Sequence, residues 1–339
     1  MTKLVLIGNP FFFNALNKHS YNVVHIDYTA GTFFNCNELQ AKYNLTPNDV
    51  IVVADKSLPP ALLGVENMPC LTVFYAVDTH IHSWYPYYAQ AFDLCLVSLK
   101  DDLPKFLNGR LSNSQVRWFP PYYLGKPVSP DSPEAAVKNF DFLFVGRMNP
   151  KINPERVIYF EKLKEYLPSL HCVFGNYIKL NPQARLVFNH SIAADFNFRI
   201  PETLGTGACL LTPRIKHGLE ELFTDGEDLF LFDQTNIEGT ARLAKELLAD
   251  EATRLKVARS GYNKVCAKHL ACHRAQELAT ILQDWFTTGT AQKLINARLA
   301  AANKIHSTYL RLIYLLLAEN MNEFPELRAA YLAAAKKND

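Results

Sequence analysis

The chain has 339 residues, 49% of them hydrophobic, which is enough for two packed cores on the usual domain size. Charged residues make up 20% and the formal net charge is +2, so no global field selects nucleic acid or a membrane surface as partner. The start MTKLVLIGNP turns polar too soon for a signal peptide, no apolar run is long enough for a transmembrane span, and the seven scattered cysteines read as reduced thiols of a cytoplasmic protein.

Lys3–Gly8 (KLVLIG) reads as a buried strand ending in Gly8-Asn9-Pro10, and Phe11–Lys18 as a helix. Further apolar runs follow at Asn22–Tyr28, Asp49–Ala54, Leu71–Val77, Asp93–Ser98 and Gln115–Pro120. Buried runs separated by connections of this length predict a parallel α/β sheet. Ligands of such sheets bind beyond the carboxyl ends of the strands, which directs attention to Gly8-Asn9-Pro10 and to Asp78–His82. On an extended backbone Asp78, His80 and His82 point to one side. They are a metal face lacking a visible fourth ligand, a substrate contact, or strand-end histidines bonded by the backbone. The aromatic run Trp84-Tyr85-Pro86-Tyr87-Tyr88 lines an acceptor or packs in the core.

Gly125–Lys138 is rich in Pro and Ser, has no apolar period, and reads as an interdomain linker. The strand pattern restarts at Phe140–Gly146, with Arg147 and Lys151 just beyond its carboxyl end. Asn153–Leu167 has helical spacing, with Val157, Phe160, Leu163 and Leu167 on one face. His171–Gly175 is a strand. Leu186–Leu211 then reads as strand, polar loop, short helix, tight turn and strand. A loop entering a helix after a parallel strand presents free N–H groups and a positive dipole end, an anion site. Glu202 sits one turn inside that helix, too far in for capping and placed to reach a ligand hydroxyl. Gly205-Thr206-Gly207 ends the helix and is not a dinucleotide fingerprint. Leu229–Phe232 is a short strand, and Ile237–Phe286 is largely helical. Cys266 and Cys272 lie near His269 and His273, but one helical segment gives poor tetrahedral geometry, so no metal is expected there. Thr290–Asp339 reads as Ala- and Leu-rich helices, the last amphipathic from Pro325 to Lys337. They form a cap on the body or a module for self-association or acceptor docking.

Asp195, Asn197, Arg199 and Glu202, then Gly207-Ala208, Leu211-Thr212, Glu220–Phe223 and Gly226-Glu227, resemble the donor half of CgeB-like GT-B glycosyltransferases, which are related to the family-4 retaining enzymes. The resemblance runs from about Phe140 to about Glu277. It implies an α/β GT-B fold, two Rossmann-like domains facing a cleft, with a C-terminal helical extension. The expected division is 1–124 for the acceptor-side domain, 125–138 for the linker, 139–286 for the donor domain and 287–339 for the extension.

The resemblance also implies roles. Arg147 and Lys151 correspond to the Arg and Lys that clamp the donor diphosphate, although their spacing is one residue shorter than usual. Glu202 corresponds to the glutamate that accepts the ribose hydroxyls. Ala194 stands where the first glutamate of that pair would lie, and its neighbour Asp195 is the candidate for the sugar contact. Asn197 and Arg199 touch the donor or hold the loop in shape. Gly8 is a donor contact from the first domain, and Asp78, His80 and His82 are catalytic candidates, one histidine lying over the sugar. The chain contains no Asp-x-Asp pair. A helix N-terminus and fixed cations then replace a divalent ion on the leaving diphosphate. The expectation is therefore a metal-independent glycosyltransferase, retaining by resemblance, without a cofactor. Its partners are a nucleotide-sugar donor and an acceptor of unread identity, with self-association through the terminal helices as an option. The competing reading is a catalytically inactive nucleotide-sugar-binding adaptor.

Overall fold

The computed structural model describes residues 2–336, so Lys337, the expected end of the last helix, lies outside the described residues. The chain divides into two compact units, one of residues up to Pro120 together with those from Arg274 onward, the other of Pro121–His273.

In the first unit the strands are β1 (Thr2–Gly8), β2 (Tyr21–Ile26), β3 (Phe34–Asn35), β4 (Val50–Ala54), β5 (Leu62–Leu63), β6 (Leu71–Ala76), β7 (Leu94–Val97) and β8 (Val116–Trp118). Six of them form one sheet in the order β2-β1-β4-β6-β7-β8, and β3 pairs with β5. Every pairing is parallel, with Leu4 opposite Val50 and Val23 and Val73 opposite Leu94. Leu4–Ile7, Val50–Ala54 and Leu71–Ala76 are buried throughout, as strands covered on both faces must be. The segment expected as a helix from Phe11 is a 3-10 helix, Phe13–His19, whose Phe13 and Leu16 are buried.

The second unit holds β9 (Phe140–Val145), β10 (Leu170–Val173), β11 (Ala184–Phe188), β12 (Leu210–Pro213) and β13 (Phe230–Phe232), all parallel in the order β10-β9-β11-β12-β13. One face of this sheet packs Phe142, Phe144, Phe188 and Leu211 against Tyr159, Phe160 and Leu163 of helix Pro154–Tyr166 and Ala241 and Ala244 of helix Ile237–Ala249. The other face packs Leu143, Val145 and Val187 against Tyr177 and Leu180. The linker segment carries a short helix, Pro133–Ala136.

The C-terminal helices belong to the first unit's core. Ile305, Leu310, Ile313, Tyr314, Leu327 and Tyr331 share one buried cluster with Val5, Ile51 and Phe74. Arg298, fully buried on helix Thr290–Ala300, donates to both oxygens of Asp93 (3.0 and 3.1 Å) and to the carbonyls of Val65, Glu66 and Cys70. The chain thus re-enters the first unit at Arg274, before the position 287 at which the sequence reading placed a separate extension. Leu312 and Leu316 remain exposed. Among the described residues no helix is long and apolar enough to cross a membrane.

Candidate active site

Polar side chains gather where β9, β11 and β12 end in the second unit. Arg199, the first residue of helix Arg199–Gly205, turns back under the loops. Its guanidinium donates to the Val145 carbonyl (3.1 Å) and to Asn189 Oδ1 (2.8 Å) and lies over the Phe144 ring, 5.0 Å from the centroid. Asn189, fully buried, passes the link on by donating to Thr212 Oγ1 (3.0 Å). One arginine thereby ties three strand ends together. Gly146 is required beside it: a Cβ there would sit 2.6 Å from the Phe144 ring and 3.3 Å from Arg199. Burial, and then the charge of Arg156, bring the Arg199 guanidinium down to about 10, against the pull of Glu202 and Asp195, so it stays charged at neutral pH.

Glu202 stands on the same helix and is half-buried. Burial raises its pKa, against the opposing influence of Arg199 and of a hydrogen bond donated by the Tyr177 hydroxyl. The carboxylate is thus under the influence of a cation and a phenol. Asp195 is fixed by its own loop: Ser191 Oγ donates to it at 2.6 Å and accepts its backbone N–H at 2.8 Å. Asn197 Oδ1 is buried with no hydrogen-bond partner. Arg147 is exposed, with its guanidinium 5.2 Å from the Phe174 ring centroid. Lys151 is exposed too, and its backbone N–H is capped by Asn149 at 2.9 Å.

Next to these residues lies a cavity of about 460 Å³, lined by Ile152–Arg156, Tyr159, His190, Ile192 and Gln234. It opens at the N-terminus of helix Pro154–Tyr166, whose Pro154 spends no N–H at a position where none is needed. Arg156 is buried, reaches the Arg147 carbonyl at 3.4 Å, and keeps an unpartnered Nε. The His190 ring packs at a tilt against Tyr159 (centroids 4.8 Å apart), and its buried Nδ1 has no partner. Burial, then Arg156 and Arg199, push the His190 imidazole down to about 4, so it is neutral at pH 7. Arg147, Lys151 and Glu202 do not line this cavity. Sequence reasoning missed Arg156, Tyr177, Asn189 and His190. Arg156 shares the inward helical stripe of Tyr159, Phe160 and Leu163, and an arginine on an apolar stripe is a signal that was available.

In the first unit the carboxyl ends of the strands are organised by Asp55, which sequence reasoning also passed over. Buried at the end of β4, Asp55 accepts the backbone N–H groups of Ser57 (2.6 Å), Val77 (2.9 Å) and Asp78 (2.8 Å) and the Tyr85 hydroxyl. Asn9 donates to the Asp55 carbonyl at 2.7 Å. Gly8, at the end of β1, has φ +109°, and a Cβ there would lie 2.0 Å from the Ala54 carbonyl oxygen, so only glycine fits. His25 Nε2 contacts the Gly8 carbonyl at 2.8 Å.

The expected common face of Asp78, His80 and His82 does not form, because the backbone is not extended there. Ile81 N–H bonds to the Asp78 carbonyl at 2.9 Å and closes a turn. Asp78 binds the Ser57 hydroxyl, His80 is exposed, and His82 packs against Trp84 and Tyr85 with a buried, unpartnered Nε2. The aromatic run is divided. Tyr85 and Tyr88 are core residues, Tyr88 donating to the Leu62 carbonyl at 2.8 Å, whereas Tyr87 is exposed. Among the described residues no group of three or more His, Cys, Asp or Glu side chains is gathered in metal-binding geometry, Cys266, His269, Cys272 and His273 included.

Residues 136–280 match a family described as glycosyl transferase-like, and the second unit therefore carries a glycosyl transferase-like domain. No curated protein matches the chain in sequence. The fold is similar to that of HepE from Anabaena, solved with UDP and glucose (TM-score 0.62, 12% identity, 84% of this chain and 100% of that one). It is also similar to sucrose-phosphate synthase from Thermosynechococcus elongatus (TM-score 0.61, 11% identity, 85% and 100%). TarM of S. aureus aligns at TM-score 0.54 and 8% identity over 73% of this chain, which spans 57% of TarM. The fold is GT-B, built here from two parallel α/β units with a helical C-terminal region.

Proposed function

We propose that this chain is a glycosyltransferase that moves a hexose from a nucleotide-diphosphate sugar to an acceptor, without a metal ion and with retention at the anomeric carbon. The observation that carries the reading is Glu202, a half-buried carboxylate under the influence of Arg199 and Tyr177 at the end of the second sheet, inside the glycosyl transferase-like domain. A carboxylate in that place accepts the two ribose hydroxyls. Arg147 and Lys151, exposed just beyond β9, neutralise the diphosphate, and an Arg offers it two directed donors. As the sugar–phosphate bond breaks, the electron pair passes to the β-phosphate oxygen, and charge grows where the cations stand. Arg199, bonded through Nε to Val145 and through Nη1 to Asn189, acts as a positioning residue for the loop bearing Asp195 and Asn197. His82 of the first unit serves the sugar or the acceptor. Retention is carried over from the resemblance to the family-4 enzymes, and metal independence rests on the lack of an Asp-x-Asp pair. HepE, solved with UDP and glucose, makes a uridine nucleotide the first donor to try.

The test is a donor panel of UDP-, GDP- and ADP-hexoses, assayed for hydrolysis or transfer with and without a chelator. Turnover that persists in chelator supports the proposal. Binding without turnover supports the adaptor instead, and a strict need for added divalent metal contradicts the metal-free mechanism.

A further inference from the structure

A buried polar pair in the first unit lies away from the carboxyl ends of its strands. Glu66, in the 3-10 turn Val65–Asn67 that precedes β6, is 2% exposed. Its Oε1 accepts from Asn67 at 3.0 Å and lies 3.5 Å from His306 Nδ1, and its Oε2 is buried with no partner. His306 is 3% exposed, and neither ring nitrogen has a hydrogen bond. A buried carboxylate oxygen without a donor is unfavourable, and a donor entering from outside the chain would relieve it.

Both residues line a cavity of about 600 Å³. One wall is a face of helix Pro325–Lys336 made of Glu326, Ala329, Ala330, Ala333 and Ala334, whose small side chains leave the space open. Leu63 and Phe33 supply further apolar surface, Phe33 being 38% exposed. His306 begins a π-helical turn, His306–Leu310, a distortion frequent at functional sites. The lining carries two carboxylates, Glu66 and Glu326, and, among the described residues, no Lys or Arg. That balance repels phosphates and carboxylates and favours a cation.

We propose that this cavity binds a small organic amine, its ammonium donating to Glu66 Oε2 and its apolar body lying on Ala330, Ala334 and Leu63. The site is separate from the proposed donor site and does not rest on it.

The experiment is calorimetric titration of the full chain at pH 7 with phenethylamine and cyclohexylamine, each against its neutral alcohol, 2-phenylethanol or cyclohexanol. Saturable binding of an amine is expected, weaker by about tenfold or more for the matching alcohol, the scale of one charge-assisted hydrogen bond. Glu66→Gln removes the charge and Ala330→Leu fills the space. Each is expected to weaken amine binding by about tenfold or more. Ala330 is only half-buried on the helix, so that variant folds even where Glu66→Gln does not. No saturable amine binding, equal binding of amine and alcohol, or affinity unchanged in the folded variants would overturn the proposal.

Discussion

Individual side chains divide into those that chemistry exposes and those that architecture consumes. Arg147 is free at the surface apart from the Phe174 ring, whereas the Arg199 guanidinium is buried and donates to Val145 and Asn189. Arg147→Ala is therefore expected to lower turnover more than donor affinity, because diphosphate charge grows as the bond breaks. Separate measurement of kcat and nucleotide Kd checks this. Changing His82 to Ala is expected to slow transfer and spare nucleotide binding, since the nucleotide contacts proposed here lie in the second unit. Full transfer in both His80→Ala and His82→Ala would make the pair structural. His190 sets a pH dependence. Its imidazole is held near 4, below the ordinary 6.5, so the unfolded chain takes up the proton first as pH falls. Its contribution to stability is complete above pH 6.5 and is lost as pH falls through about 4, at about 1.4 kcal/mol for each pH unit between the two values. Denaturant melts of wild type and His190→Gln across that range are expected to diverge only at the acid end. The positions of Arg147 just beyond β9 and of Glu202 inside the helix Arg199–Gly205 were legible from sequence, because both follow apolar runs; their roles are proposals. Asp55 was not, because Val77, Asp78 and Tyr85, which donate to it, lie 22 to 30 residues along the chain.

Elements were more legible than their ends. Runs such as Leu71–Val77 and Phe140–Gly146 became β6 and β9 because a strand buried on both faces has to be continuously apolar. The turn after β6 was not legible. Asp78-Thr79-His80-Ile81-His82 alternates like a strand, but Asp55 captures the N–H groups of Val77 and Asp78, and the backbone turns. The terminal helices were read as a cap on the body or a module, and their apolar faces pack on the body, in the first unit's core. Nothing in the local pattern announces Arg298, whose partner Asp93 is 205 residues away. Arg298→Ala leaves Asp93 buried without its cation, and a cost of roughly 3–5 kcal/mol is expected in denaturant melts of the full chain. Truncation after Gly289 removes Arg298, Tyr314 and Tyr331 together, and calorimetry is expected to show the first unit's transition abolished.

The whole molecule pairs two parallel α/β units of different provenance in the chain, one continuous and one assembled from both ends. The central claim is that the continuous unit holds a nucleotide-diphosphate sugar through Glu202. The direct test is calorimetric titration of UDP, GDP and ADP, in chelator, into wild type and into Glu202→Ala of verified fold. One nucleotide is expected to bind the wild type saturably. In the variant its affinity is expected to fall by about tenfold or more, as the loss of charge-assisted bonds worth about 1.5–3 kcal/mol requires. Equal affinity in the two proteins, or no binding of any nucleotide to the wild type, would contradict the account.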